Sequence, residues 1–210
     1  MNLRLGKLVR TLAVPAIMAT GLVAASVSTF AQTPPRVGVR GAITAVTPAS
    51  ITVHTNRGED MNIMLTDKTQ VRGVTLAKIA DIKPGSYIGT AATPQADGSL
   101  KALEVTVFPP AMNGAGEGHY AWDLSPNSTM TNGTVGGLVK ADGHTLTVKY
   151  KGGEKKVVVP DDVPVVNLED GDRSLLTVGT KVVLFATKGD DGKLTAGFVS
   201  AGKNGVTPPM

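Results

Sequence analysis

From Val39 onward the chain runs in short alternations of apolar and polar positions, each closed by turn residues. Residues 42–46 read as a first strand. Residues 50–55 alternate with period two, which puts Ile51 and Val53 on one face and Thr52 and His54 on the other. Asn56-Arg57-Gly58 is a tight connection into a third strand over 61–65, with Met61, Ile63 and Leu65 inward. The stretch 76–82 breaks the alternation: Leu76, Ile79 and Ile82 recur every three residues and predict about two helical turns. Lys83-Pro84-Gly85 ends it, with Pro and Gly where a type II turn prefers them. Residues 87–92 and 100–108 are the fourth and fifth strands, joined through Asp97-Gly98. In the fifth, Leu103, Val105 and Val107 take one face and Glu104 and Thr106 the other. Pro109-Pro110 stops it, because proline cannot continue a ladder.

The same grammar restarts past residue 133. At an offset of 95, Thr145-Leu146-Thr147-Val148 mirrors Ser50-Ile51-Thr52-Val53 and Gly153-Glu154 mirrors Gly58-Glu59. Asp162 and Val166 continue the match to Asp67 and Val71. At an offset of 94, Gly179 answers Gly85, Asp191-Gly192 answers Asp97-Gly98, and Leu194, Ala196 and Val199 answer Leu100, Ala102 and Val105. Matched turns and strands at fixed spacing read as an internal duplication. The copies part where a helix is expected, since 170–176 holds at most one turn. Five short strands with a helix or loop between the third and fourth is the order of an OB-like barrel, and closure removes strand edges. The expected fold is therefore all-β: two tandem small five-stranded OB-like β-barrels related by internal duplication, after an N-terminal signal peptide. Its parts are a signal peptide over 1–31, a flexible arm over 32–38, a first barrel over 39–110, an ordered linker over 111–132, a second barrel over 133–203 and a tail over 204–210.

The N-terminus supplies the address. Arg4, Lys7 and Arg10 make a basic n-region, residues 11–28 an uncharged, mostly apolar h-region, and Thr29-Phe30-Ala31 a small-residue site, so cleavage after Ala31 is expected. The mature chain is then periplasmic or secreted, with no further apolar run long enough to span a bilayer. Without Arg4, Lys7 and Arg10 the 21 basic residues fall to 18 against 17 acidic ones, a net of +1. There is no basic stripe with stacking aromatics, so nucleic acid is not an expected partner. The absence of cysteine removes disulfides, thiolate metal sites and cysteine nucleophiles together.

Candidate chemistry concentrates between the two halves. Glu117, His119, Tyr120, Trp122 and Asp123 crowd among glycines, and Trp122 is the sole tryptophan. One reading is an interdomain plug in which Trp122 and Tyr120 bury apolar area and keep their polar tips at the boundary. The other is a ligand or partner loop, in which Glu117, His119 and Asp123 are the candidate metal ligands. OB-like barrels use strands 2 and 3 and the adjoining loops, which points to His54 and Arg57 in the first copy and Lys149 and Lys151 in the second. Met61, Met64, Met112 and Met130 form no Met-x-Met cluster for copper, and the acidic loops at 161–162 and 169–172 lack the calcium-loop spacing. No Gly-x-Ser-x-Gly elbow occurs. No cofactor is expected.

Several stretches together resemble a known family: S-I-T-V, G-E, D-I-K-P-G and D-G-x-L-x-A-x-x-V in tandem, the central GEGHYAWDLSPNSTMTNGTV and the closing G-V-T-P-P-M. They are similar to a group of proteobacterial exported proteins of a domain-of-unknown-function family with tandem small OB-like repeats. The likeness covers nearly all of the chain past residue 31. Some of those relatives are labelled "metal ABC transporter permease", an activity that needs several spanning helices. The resemblance brings no catalytic residues. The expected function is an exported, periplasmic, non-enzymatic binding or interaction module. Its site is the cleft between the barrels, lined by the central linker, and its partner a protein or small molecule of the cell envelope. A metal-binding accessory protein of the envelope and an envelope hydrolase are the alternatives.

Overall fold

The computed structural model describes residues 36–138 and 144–209. The expected signal peptide and residues 32–35 of the arm lie outside the described residues. Among those described there is no α-helix; strands are joined by turns and by short 3-10 turns. No helix among the described residues is long and apolar enough to cross a membrane.

Three strands, β1 (Arg36–Val46), β2 (Ser50–Thr55) and β3 (Asp60–Leu76), form an antiparallel meander because alternation and the Gly58 turn dictate it locally. Eight further strands follow: β4 (Tyr87–Pro94), β5 (Leu100–Ala102), β6 (Val105–Val107), β7 (Gly118–Ala121), β8 (Thr129–Leu138), β9 (Thr145–Tyr150), β10 (Gly153–Val158) and β11 (Val165–Asp170). The chain then ends in β12 (Lys181–Lys188) and β13 (Leu194–Gly202). β12 runs antiparallel to β1, and β13 runs antiparallel to β12 and parallel to β3. The order β1-β2-β3-β13-β12 thus closes on itself as a five-stranded barrel. Its interior holds Val39, Ile43, Ile51, Val53, Ile63 and Leu184, all buried. Ile51, Val53 and Ile63 are where period-two patterning places them, and Met61 packs partly buried against the same core.

The remaining strands share a second core around Ile88, Val105, Leu146, Val148 and Val157. β8 pairs with β4, β7 and β9, β9 with β10, β10 in parallel with β5, and β5 with β4. The far half of β3 pairs with β11, which lies parallel to β6. There a third cluster, Val74, Val166 and Leu168, is covered by Phe108, Met112, Phe198 and Val206.

The expectation that residues 39–110 close a barrel by themselves is corrected by this pairing. The physical cause is the length of β3, seventeen residues, which carries the chain out of the barrel core and across to β11. The next strand, β4, then pairs with β8 rather than with β1, and the barrel is sealed by β12 and β13 from the far end. The polar residues 66–69 hid this continuity. They bulge out of β3 between the pairs Leu65↔Ala196 and Gln70↔Phe198, and the Thr69 hydroxyl donates to Ala196 O at 2.7 Å.

A local expectation also changes. The helix at 76–82 is a single 3-10 turn, Ile79–Asp81, because Leu76 still belongs to β3 and Ala77 N–H is drawn to Val165 O at 2.8 Å. Glu104, set with Thr106 on the face opposite Val105, is fully buried, as is Thr106, because that part of the sheet is covered on both sides. The stretch 111–132 holds β7 and the start of β8, so it is woven into the sheet. Glycine matters at two crossings: a Cβ on Gly41 would collide with the His54 carbonyl, and one on Gly133 with the Lys149 carbonyl.

Candidate functional site

The central motif divides its contacts between two parts of the fold. Asp123 accepts two hydrogen bonds from the Arg40 guanidinium on β1, at 2.7 and 3.1 Å. This forked pair holds the Asp123 carboxyl below its ordinary range, with the nearby Arg57 charge adding to it. Arg40 also lies 5.9 Å over the Phe185 ring of β12, and Trp122 tilts against the same ring at 5.2 Å. Trp122 is half-buried; its Nε1 is buried without a hydrogen-bond partner among the described residues. Its backbone is fixed by Ser128, whose carbonyl accepts Trp122 N–H at 2.8 Å and whose hydroxyl reaches Trp122 O and Ser125 O. Left-handed Asn127 (φ 60°) turns the chain back into β8.

The other residues of the motif face β8 and the β9–β10 hairpin. Glu117 accepts the Lys151 backbone N–H at 3.0 Å. His119 shares a hydrogen bond with Thr131 Oγ1 at 2.9 Å and stacks on Tyr150 at 6.1 Å. Burial, helped by the Lys155 charge, lowers the His119 pKa and disfavours the protonated ring. Tyr120 receives Asn132 Nδ2 at 3.0 Å, and burial raises its pKa. Tyr87 donates to Ala115 O at 3.1 Å; burial, then the Glu117 charge, push its pKa up to about 12.

Glu117, His119 and Asp123 therefore do not converge: each is spent on a different partner. No group of three or more His, Cys, Asp or Glu side chains able to hold a metal occurs among the described residues. That corrects the metal-ligand expectation. His54 is exposed and paired with Asp60 at 2.8 Å, off the cavity described next.

What the fold does bring together is Arg57 and Asp123. They line a cavity of about 240 Å³ between the start of β1, the β2–β3 hairpin tip and the linker. Val37, Met61 and Leu124 supply its apolar wall, and Asn56 and Glu59 its polar rim. Neither Arg57 nor Glu59 has a side-chain hydrogen bond or ion pair among the described residues, so both charges are free for a ligand. The volume falls short of the roughly 300–1,000 Å³ of pockets for drug-sized ligands. It suits a small molecule or a short stretch of chain. Sequence reasoning found Arg57 and Asp123 but missed Arg40, Glu59 and Leu124. A lone arginine between glycines in an edge segment gave no signal of an ion pair 83 positions away.

Residues 40–106 match the family model described as a domain of unknown function (DUF5666). That span runs through β1 to β6, strands that the fold divides between the closed barrel and the neighbouring sheet. No curated protein and no solved structure matches the chain.

Proposed function

We propose that the chain is an exported, periplasmic, non-enzymatic binding module, freed from a signal peptide near Ala31, with its site where the central linker meets the barrel. The observation that carries this reading is the cavity joining the free charges of Arg57 and Glu59 to linker residue Asp123. The address rests on the n-region, h-region and cleavage pattern alone.

The reading includes a duplicated barrel whose last two strands are exchanged between the copies. Register supports it. The pairs from Val37↔Ala186 to Ala42↔Lys181 recur one for one from Thr129↔Ala92 to Thr134↔Tyr87. β1 carries an irregularity between Ile43 and Ala45 against β2, and β8 one between Val135 and Gly137 against β9. Val74 lies opposite Leu168, its own counterpart by the offset of 94, as self-complementary halves require at a two-fold axis.

Trp122 precedes the cavity residues Asp123 and Leu124, so its emission reports occupancy. Titrating the full chain with a library of periplasmic metabolites and short peptides should yield a ligand that shifts this emission saturably. Arg57→Ala and Asp123→Asn should abolish the shift. A library-wide absence of any change in emission or thermal midpoint would sink the reading.

A further inference from the structure

The cavity runs along an open strand edge. β1 pairs with β2 only from Gly41↔Thr55 onward, plus the Asn56 N–H donated to Arg40 O at 2.9 Å. Ile43 N–H points to the β12 side, to Thr180 O, so alternation turns the N–H and C=O of Gly38 toward the β2 side. No strand among the described residues pairs with Val37, Gly38 or Val39 on that side. Val37, Gly38 and Arg40 form one wall of the cavity, and the hairpin tip with Asn56 and Arg57 the other.

The register counterpart of this edge is occupied. Residues 129–132 of β8, which match 37–40 of β1 in their pairing to β4 and β12, carry β7 as an added antiparallel strand. Gly118 lies opposite Asn132, and Tyr120 opposite Met130. The β9–β10 hairpin amide is then capped by a side chain: Lys151 N–H goes to Glu117, the residue directly before β7. Lys151 matches Asn56 at the offset of 95, and Asn56 N–H, with no such side chain beside it, goes to Arg40 O instead. The chain thus displays, on one copy of the edge, the kind of segment that the other copy lacks.

We infer that the β1 edge from Val37 to Arg40 binds an extended segment of a partner protein by antiparallel strand addition. The segment has an acidic residue followed by glycine at the start of its paired stretch. Main-chain hydrogen bonds to Gly38 supply affinity, as in other strand-addition complexes. The acidic side chain meets the free Arg57 guanidinium, beside the hairpin amide whose counterpart Glu117 caps in the other copy. Glycine follows because Gly118 holds φ 144°, a conformation other residues rarely adopt. This deepens the binding-module reading and rests on it.

The test uses the full chain and a fluorescein-labelled peptide of residues 115–121, read by anisotropy up to millimolar protein. Saturable binding is expected, weakened at least tenfold when the peptide carries Glu117→Gln. In the protein, Gly38→Pro removes the edge N–H and brings a Cβ within 3.0 Å of Asp123 Oδ2; it should weaken binding at least tenfold, as should Arg57→Glu. Arg57→Glu, which leaves the backbone and its packing untouched, should keep the parent thermal midpoint. No saturable binding, or binding by Arg57→Glu and Gly38→Pro as tight as the parent's, overturns the inference. So does a concentration-dependent dimer lost in Gly38→Pro, which would give the edge to a second copy. If peptides fail while another ligand shifts Trp122 emission in an Arg57-dependent way, the binding-module reading stands and strand addition falls.

Discussion

At the scale of single residues, Glu104 is the most exacting position. It sits fully buried between β5 and β6, accepting Ala91 N–H at 2.7 Å and Thr106 Oγ1 at 2.9 Å. Burial nevertheless pushes its carboxyl from the ordinary 4.5 up to about 7, against the pull of those two hydrogen bonds. The folded state therefore holds this proton more tightly than the unfolded one. Its contribution to stability is full below pH 4.5, is lost as pH rises to 7 and changes no further above that. Glu104→Gln keeps the acceptor for Ala91 and mimics the protonated acid. Denaturant unfolding at pH 5 and pH 8 should show the parent losing stability across that interval, on the order of 3 kcal/mol, and the glutamine variant not. An equal loss in both would remove Glu104 as the cause. Asp123 is a milder case, because its side chain is half exposed. Asp123→Ala should cost about 1 kcal/mol and move Trp122 emission to the red as the linker loosens. Unchanged emission would mean that Phe185 alone positions the tryptophan.

Between residue and molecule stand the strand crossings. Gly41 and Gly133 each face a carbonyl of the neighbouring strand so closely that any side chain forces the backbones apart. Gly41→Ala and Gly133→Ala should each destabilise by about 1–3 kcal/mol, the usual range for overpacking, measured by chemical denaturation. An alanine tolerated at either position would show that the strands can separate there without cost. Much at this scale was legible in advance. Ile51, Val53 and Ile63 fall inside, the Gly58 hairpin turns where expected, and the central motif does contact the barrel through Trp122 and Asp123. What escaped has physical reasons. Alternation reports which face a residue takes but not whether both faces are covered, so it left the burial of Glu104 open. A period of three in Leu76, Ile79 and Ile82 mimicked a helix, although Leu76 ends a strand. Asp67 and Lys68 looked like a loop because a bulge inside a long strand carries the same polar signature as a turn. Partner choice between strands was illegible altogether. β4 matches β12 in pattern, and pattern cannot say which of β1 and β8 each will seal.

That choice sets how the whole molecule responds to damage. Were the barrel closed by consecutive strands, removing the C-terminal pair would leave residues 39–110 intact. In the observed fold, β12 and β13 are the walls that close β1, β2 and β3, and they bring Leu184, Ala186, Ala196 and Val199 into that core. β4 and β5, from the first half of the sequence, meanwhile pair with β8 and β10 of the second. A chain ending at Thr180 loses both walls at once. It exposes the long edges of β1 and β3 and uncovers Val39, Ile43 and Ile63, a state that exchanges core for aggregation-prone edge. The expected result is loss of protease resistance over 36–76 with aggregation of the truncated chain. Adding a separate peptide of residues 181–209 during refolding should restore resistance, because the missing strands pair through main-chain hydrogen bonds and need no covalent link to β1. A truncated chain that keeps a protected 39–110 fragment by limited proteolysis would mean that β4 and β5 can close the barrel themselves, and that the observed pairing is one of two accessible ones rather than the fold the sequence requires.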